Sequence, residues 1–241
     1  MLETEAYQKL EWTPELVSKY WDYESNFPNN YFSYQFGDAL LRKVQSYLKG
    51  RTSILDYGCG RGFMMKHLLE CGYTTYGTDL SPQTVDLVNA GFTTFTNFRG
   101  AYSTDGLLSK GQRFDAVLAI EVIEHVTDPL LQAILANIKR LMHPRGLAIF
   151  TTPNSEKLED SHVFCPLCER VFHRWQHVRS WTKASLQEVL ERTGFEILST
   201  FTTDFSATFR KNKFLWLKRF IKHYISKKSD PHLICISRLM G

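Results

Sequence analysis

The chain has 241 residues, 43% of them hydrophobic, enough to bury the core of one α/β domain with embellishments. No apolar run reaches the length of a membrane span, and Met1-Leu2-Glu3-Thr4-Glu5 carries neither the basic nor the apolar part of a secretory signal. Five cysteines, an odd count without such a signal, argue against a disulfide scaffold and for reduced thiols in the cytoplasm. The net charge of +4 is uneven: residues 210–228 hold eight Lys/Arg and no acid, so the rest of the chain is net −4. That pattern is a mildly acidic domain with one basic segment, not a protein that coats nucleic acid.

Residues 1–50 read as an N-terminal arm and helix, and 51–241 as the main domain. Between 20 and 36, eight of seventeen residues are aromatic, too many to stay in water. They either pack on the core or form a lid over a cleft. Residues 38–49 are expected to form a helix. An α/β alternation follows. Strands are expected at 53–57, 74–79, about 93–98, 114–121 and 147–152. Helices are expected at 62–71, at 82–90 behind Ser81-Pro82, and at 128–142 behind Asp128-Pro129. Residues 153–180 read as an irregular insertion. A helix at 182–193, capped by Thr182 and ended by Gly194, precedes strands at 195–203 and 232–238. Near-continuous apolar strands between helices imply a doubly wound, mostly parallel seven-stranded sheet covered on both faces.

The most specific stretch is Ile54-Leu55-Asp56-Tyr57-Gly58-Cys59-Gly60-Arg61-Gly62, with Thr78-Asp79-Leu80-Ser81 further on. A strand enters a glycine loop, a helix follows, and a second strand ends on an acid. This is a nucleotide-binding βαβ unit. The spacing is G-x-G-x-G. Phe63 stands where the dinucleotide fingerprint continues, which counts against an NAD-dependent oxidoreductase.

This stretch resembles motif I of the class I S-adenosylmethionine-dependent methyltransferases. Residues 114–126 and the turn His143-Pro144-Arg145-Gly146 extend the resemblance across 53–152. Enzymes similar to the ubiquinone-pathway O-methyltransferases and to bacterial tailoring methyltransferases look nearest. The resemblance implies a Rossmann-like methyltransferase fold and S-adenosyl-L-methionine as methyl donor. It implies that Asp56, Gly58, Cys59, Gly60 and Gly62 surround the methionine part of the donor. Asp79 and Leu80 would hold ribose and adenine, and Glu121 and Val122 would lie near the sulfonium. One departure is that Asn97–Ser103 offers no acid for the adenine amine.

Two histidines are candidates for the acceptor's proton, His125 and His177. Glu121-x-x-Glu124-His125 resembles the metal-binding E-x-x-E-H of small-RNA 2′-O-methyltransferases, with His177 at the matching later position. Those four residues would suit Mg²⁺, Mn²⁺ or Zn²⁺. His125 reads equally as a metal-free polar or base residue, or as packing. A competing set is Cys165-Pro166-Leu167-Cys168 with His173 and His177, whose spacing suits a structural zinc knuckle. The two sets share His177, and His162 is a substitute in the second. Residues 214–225, inside a basic amphipathic helix at about 212–226, oppose an aromatic face to a Lys/Arg face. That pattern suits either membrane-surface contact at the inner face or docking on the protein.

The expected activity is O-methylation of a small-molecule, sugar or lipid-linked acceptor. The alternatives are a metal-assisted RNA 2′-O-methyltransferase, disfavoured by the acidic main domain, and a non-catalytic S-adenosylmethionine-binding protein.

Overall fold

The computed structural model describes residues 7–207 and 229–240. The expected basic helix at about 212–226, with its membrane-facing residues 214–225, lies outside the described residues.

In chain order the main elements are α1 (Pro14–Glu24), α2 (Phe32–Leu48), β1 (Ser53–Tyr57), α3 (Phe63–Glu70), β2 (Thr74–Thr78) and α4 (Pro82–Gly91). They continue with β3 (Phe98–Tyr102), α5 (Thr104–Ser109), β4 (Phe114–Ile120), α6 (Asp128–Arg140), β5 (Met142–Pro153), β6 (His162–Cys165) and β7 (Arg170–His173). The last are α7 (Lys183–Arg192), β8 (Phe195–Thr203) and β9 (His232–Leu239). Seven strands form one sheet in the order β3-β2-β1-β4-β5-β9-β8. Pairing is parallel from β3 to β5, and β9 runs antiparallel between β5 and β8. The strand order reverses between β1 and β4, so their carboxyl ends open the crevice where such sheets bind ligands.

Strict alternation explains the two layers. In β4, Val117 and Ala119 face a core shared with α6 and α7, while Ala116, Leu118 and Ile120 face one shared with α2 and α3. Ile54 and Leu55 split between the same two cores. Asp115, just inside β4, ties the strand starts together. Its Oδ2 accepts from the backbone N–H and the hydroxyl of both Thr52 and Ser53.

Three expectations need correction. The third strand runs over Phe98–Tyr102, not about 93–98, because two successive turns (Phe95 N–H to Phe92 O, Phe98 N–H to Phe95 O) occupy the earlier residues. A short helix, α5, follows it on the Ser103 cap. The insertion after β5 is not irregular throughout, since β6 and β7 form an antiparallel hairpin inside it. The aromatic arm divides. α2 buries Leu40, Leu41, Val44 and Leu48 in the core, whereas α1 buries no residue fully and lies across the end of the sheet.

Candidate active site

The glycine loop is held from within. Gly58 and Cys59 both donate to Thr78 O, at 2.8 and 3.0 Å, and Gly62 donates to Cys59 O at 2.8 Å. Asp79, at the end of β2, accepts from Gly60 N–H through Oδ2 and from Ser81 N–H through Oδ1, each at 3.0 Å. Each oxygen keeps a second lone pair, enough for two ribose hydroxyls. A Cβ at Gly58 would fall 2.7 Å from Val122 Cγ2, so glycine is needed for the loop to lie against the turn after β4. A Cβ at Gly62 would strike the Phe92 ring, so this glycine serves packing and a left-handed helix start. The Cys59 side chain is buried beside Met65 and Gly77, which leaves only its backbone for a ligand. Phe63 packs against Tyr31 and Tyr34, and Leu80 is exposed.

Asp56 is buried and its Oδ2 has no hydrogen-bond partner. Burial, and then the charge of Asp79, raise its pKa to about 7. A buried carboxyl left unpaired costs about 1–3 kcal/mol, which a cationic ligand group would offset. This orphaned oxygen beside an open glycine loop fits the methionine ammonium of the expected donor.

Next to the loop lies a cluster of three glutamates and three histidines. Glu121, at the end of β4, adopts φ 54° and donates its N–H to Thr151 O, while Thr151 Oγ1 donates to its Oε1 at 2.8 Å. Burial raises its pKa to about 7. Glu124 is fully enclosed and neither carboxyl oxygen has a partner. Burial, and then the charge of Glu121, push its pKa well above the carboxylate range. His125 Nε2 lies 3.8 Å from Glu124 Oε1 and its Nδ1 is unpartnered. Burial, and then His177, lower its pKa to about 3, so it is neutral.

The insertion delivers the other half. Val178 donates to Glu124 O, Gln176 Nε2 to His125 O, and the Arg179 guanidinium to Val126 O. These bonds clamp the stretch 176–179 onto the turn 124–126 and bring the His125 and His177 ring centroids to 4.9 Å. Glu156 arrives from the other side because Ser155 N–H bonds Trp181 O. Its Oε2 lies 2.5 Å from His177 Nδ1 and its Oε1 3.2 Å from His173 Nε2. Burial would raise the Glu156 pKa, but the bonds from His173 and His177 outweigh it and hold it at about 2. His173 Nδ1 accepts from the N–H groups of Trp175 and His177, so its proton sits on Nε2, toward Glu156. An ionised Glu156 likewise fixes the His177 proton on Nδ1 and leaves a lone pair on Nε2. Glu121, Ser155 and Gln176 are all non-glycine residues at positive φ around this cluster.

Helix α1 roofs the cluster. The Trp21 ring meets His125 edge-on at 4.8 Å, and its Nε1 donates to Gln176 Oε1. Tyr20 donates to Arg174 O, and Tyr31 lies over Gly60.

Among the described residues, two groups meet the distance requirement for a cation. Glu124, His125 and His177 have ligand atoms within 4.8 Å of one another, as do Glu156, His173 and His177. In the second, the ring protons already serve Glu156, so it is a hydrogen-bonded relay. In the first, the unpartnered Glu124 oxygens and the His125 ring, whose Nε2 faces Glu124, fit a divalent ion. Glu121 stands beside it, bound to Thr151. The expected knuckle of Cys165, Cys168, His173 and His177 is not assembled. Cys165 pairs with Arg170 at the tip of the hairpin and His173 with His162 at its base, roughly 10 Å away. His162 is at the same far end and does not complete the set.

Glu156, Gln176 and Thr151 were not among the residues singled out from the sequence, and Trp21 was read only as one of the eight aromatics of the arm. Glu156 is one acid among several in the insertion, and only the fold distinguishes it.

A family model described as a methyltransferase domain matches residues 30–200. The chain belongs to this family. It is 35% identical over 106 residues to the ubiquinone biosynthesis O-methyltransferase of Cereibacter sphaeroides, covering 42% of this chain and 41% of that protein. The corresponding protein of Rickettsia bellii is 27% identical over 168 residues, covering 66% of this chain and 68% of the relative. The match thus spans about two fifths of the length of the Cereibacter relatives. Among solved structures, an S-adenosylmethionine-dependent methyltransferase from Archaeoglobus fulgidus superposes with TM-score 0.61 at 19% identity, covering 91% of this chain and 99% of that one. The 1,6-didemethyltoxoflavin-N1-methyltransferase of Burkholderia thailandensis gives TM-score 0.62 at 19% identity, covering 94% and 86%. These structures share the seven-stranded, Rossmann-like methyltransferase fold.

Proposed function

We propose that this protein transfers a methyl group from S-adenosylmethionine to a hydroxyl oxygen of a small-molecule acceptor. The observation that carries the reading is the junction at Gly58 and Val122. It sets a glycine loop flanked by two carboxylates against a buried histidine–glutamate cluster. Asp56 and Asp79 would hold the donor by its ammonium and ribose. The relatives named for ubiquinone biosynthesis methylate oxygen, in keeping with a proton-accepting group at the acceptor side.

Methyl transfer is an in-line displacement, so the chain must hold acceptor oxygen and methyl carbon roughly 3–3.5 Å apart and aligned. Trp21, Val122 and the neutral His125 form a water-poor wall for this. As the oxygen attacks, its proton passes to His177 Nε2, and Glu156 steadies the imidazolium through Nδ1. His173 keeps Glu156 ionised. A divalent ion on Glu124, His125 and His177, were it bound, would lower the hydroxyl pKa. The orphaned oxygens of Glu124 favour this second form of the same reading. Entry of the acceptor between α1 and the insertion, and lipid linkage of that acceptor, belong to the proposal as well.

The test is isothermal titration with S-adenosylhomocysteine, followed by transfer of labelled methyl to a panel of phenols, catechols and sugars. Product analysis then locates the methyl group. Tight donor-product binding with label on oxygen supports the reading. Label on nitrogen or carbon would remove the hydroxyl assignment. Absence of binding would remove the donor site.

A further inference from the structure

The hairpin of β6 and β7 carries chemistry that the active site does not use. We propose that Cys165 and Cys168 are half of a tetrathiolate zinc site, and that a second copy of this chain supplies the other half.

The turn is built to present two sulfurs. Cys165 and Arg170 are the last paired residues, and Glu169 N–H returns to Cys165 O at 2.8 Å. Glu169 takes φ 53°, so the chain reverses within Pro166–Glu169. The Cys165 sulfur is met by the backbone N–H groups of Cys168 and Leu167 and by the Cys168 thiol. Cys168 is exposed and Cys165 half-exposed, so both sulfurs are open to an incoming ion.

Zinc in a structural site takes four ligands. Among the described residues, no group of three metal-binding side chains includes either cysteine. His162 and His173 sit at the other end of the hairpin. Cys59 and Cys235 are buried in the core. Cys71 ends α3 near the amino ends of the strands, whereas the hairpin follows the carboxyl end of β5. One chain therefore offers this tip two thiolates. A two-fold axis through the metal brings an identical pair and closes the tetrahedron, because such an interface uses the same patch twice.

The surroundings suit that partner. Leu167, between the two cysteines, is 94% exposed, and Phe164, Val163 and Tyr7 on the flanks are exposed too. Tyr7 packs its ring on Phe164 at 5.1 Å and so extends the apolar rim. Isolated on a monomer, this tip leaves apolar area in water. Tip-to-tip pairing buries it around the metal.

The experiment uses the whole protein, freed of metal by chelation under reducing conditions and titrated with Cd²⁺. Two signals are followed: the ultraviolet thiolate-to-cadmium band and the sedimentation mass. We expect the band to saturate at about half an equivalent of Cd²⁺ per chain as monomer converts to dimer. The double variant C165S/C168S should show no band and remain a monomer. It should retain the wild-type melting temperature and S-adenosylhomocysteine affinity. A full equivalent of Cd²⁺ on a monomer would overturn the proposal, because the ligands would then come from one chain. So would an absent band with free or disulfide-linked thiols, or a dimer that survives in C165S/C168S. An ion at Glu124, His125 and His177 gives no thiolate band, so failure here is separable from failure of the methyl-transfer reading.

Discussion

The donor and acceptor sides of the proposed active site are built in opposite ways. The donor side is backbone. Its loop residues are contiguous, and the N–H groups of Gly58, Cys59, Gly60 and Gly62 all bond to neighbouring loop and strand atoms. The acceptor side is side chains. Glu121, Glu124 and His125 come from the turn after β4, Glu156, His173 and His177 from the insertion, and Trp21 from α1. Unsatisfied polar atoms concentrate there: both Glu124 oxygens and His125 Nδ1, against Asp56 Oδ2 on the donor side. A self-satisfied backbone loop holds its shape without ligand. A cluster of orphaned buried groups is held by the fold at an energetic cost, as expected of a site that awaits substrate or an ion.

If this contrast is right, the two sides separate under mutation. The largest effect is expected for His177→Ala. Loss of the proton acceptor should lower kcat about 10²–10³-fold, while the S-adenosylhomocysteine Kd changes less than about twofold. A parallel loss of donor affinity, measured by titration calorimetry, would break the division.

Asp56→Asn is the reciprocal case. Donor affinity should fall roughly tenfold or more, the weight of one charge-assisted hydrogen bond. The sign of its pH dependence follows from burial. With a pKa of about 7, the wild-type Asp56 carboxyl is largely protonated below neutrality. Binding the donor ammonium favours the ionised form, so binding should release a proton at pH 6–7 and weaken as pH falls. Calorimetry in buffers of different ionisation enthalpy reads this directly, and D56N should lose the part due to this group.

Glu156→Gln sharpens the acceptor side. The amide can still meet His177 but no longer steadies an imidazolium, so kcat should drop about tenfold with donor affinity unchanged. Removing a charge shared by two histidines should also cost about 1–3 kcal/mol in urea unfolding. An unchanged kcat would leave Glu156 purely structural.

The same contrast explains what the sequence could convey. The donor side is local. The glycine spacing, the acid after the second strand and the Pro-headed helices each follow from a few adjacent residues, and β1 falls at 53–57 as expected. The acceptor side is not local. His125 and His177 meet only because Gln176, Val178 and Arg179 bond the 124–126 turn, and no spacing rule encodes that. The zinc expectation failed for a related reason. Cys165-x-x-Cys168-x4-His173 looks compact along the chain, but a β-hairpin carries the cysteines to its tip and the histidine to its base. The third strand was displaced because Thr93-Thr94-Phe95 favours a strand locally, whereas Asn97 Nδ2 bonds to Leu69 O and Tyr73 O and fixes the turn.

The smallest expected effect comes from a residue on which both sides rest equally. Asp115 joins the starts of β1 and β4, at the end of the sheet away from the site. Burial alone would raise its pKa. The N–H groups of Ser53 and Thr52, with their hydroxyls, outweigh it and lower the pKa from 3.8 to about 2. A carboxyl depressed in the folded state contributes stability above its unfolded pKa and loses it as pH falls through the folded value. Wild-type protein should therefore lose this contribution between about pH 4 and pH 2. Asp115→Asn should be less stable by about 1 kcal/mol at neutral pH, solvent screening considered, and should lack that part of the acid limb. Thermal melts from pH 7 to pH 2.5 measure both. Donor affinity and kcat should stay unchanged, because the strands still carry the same loop and turn at their other ends. A fall in either would mean that the two sides of the site communicate through the β1–β4 pair, and their separation would then be one of construction only.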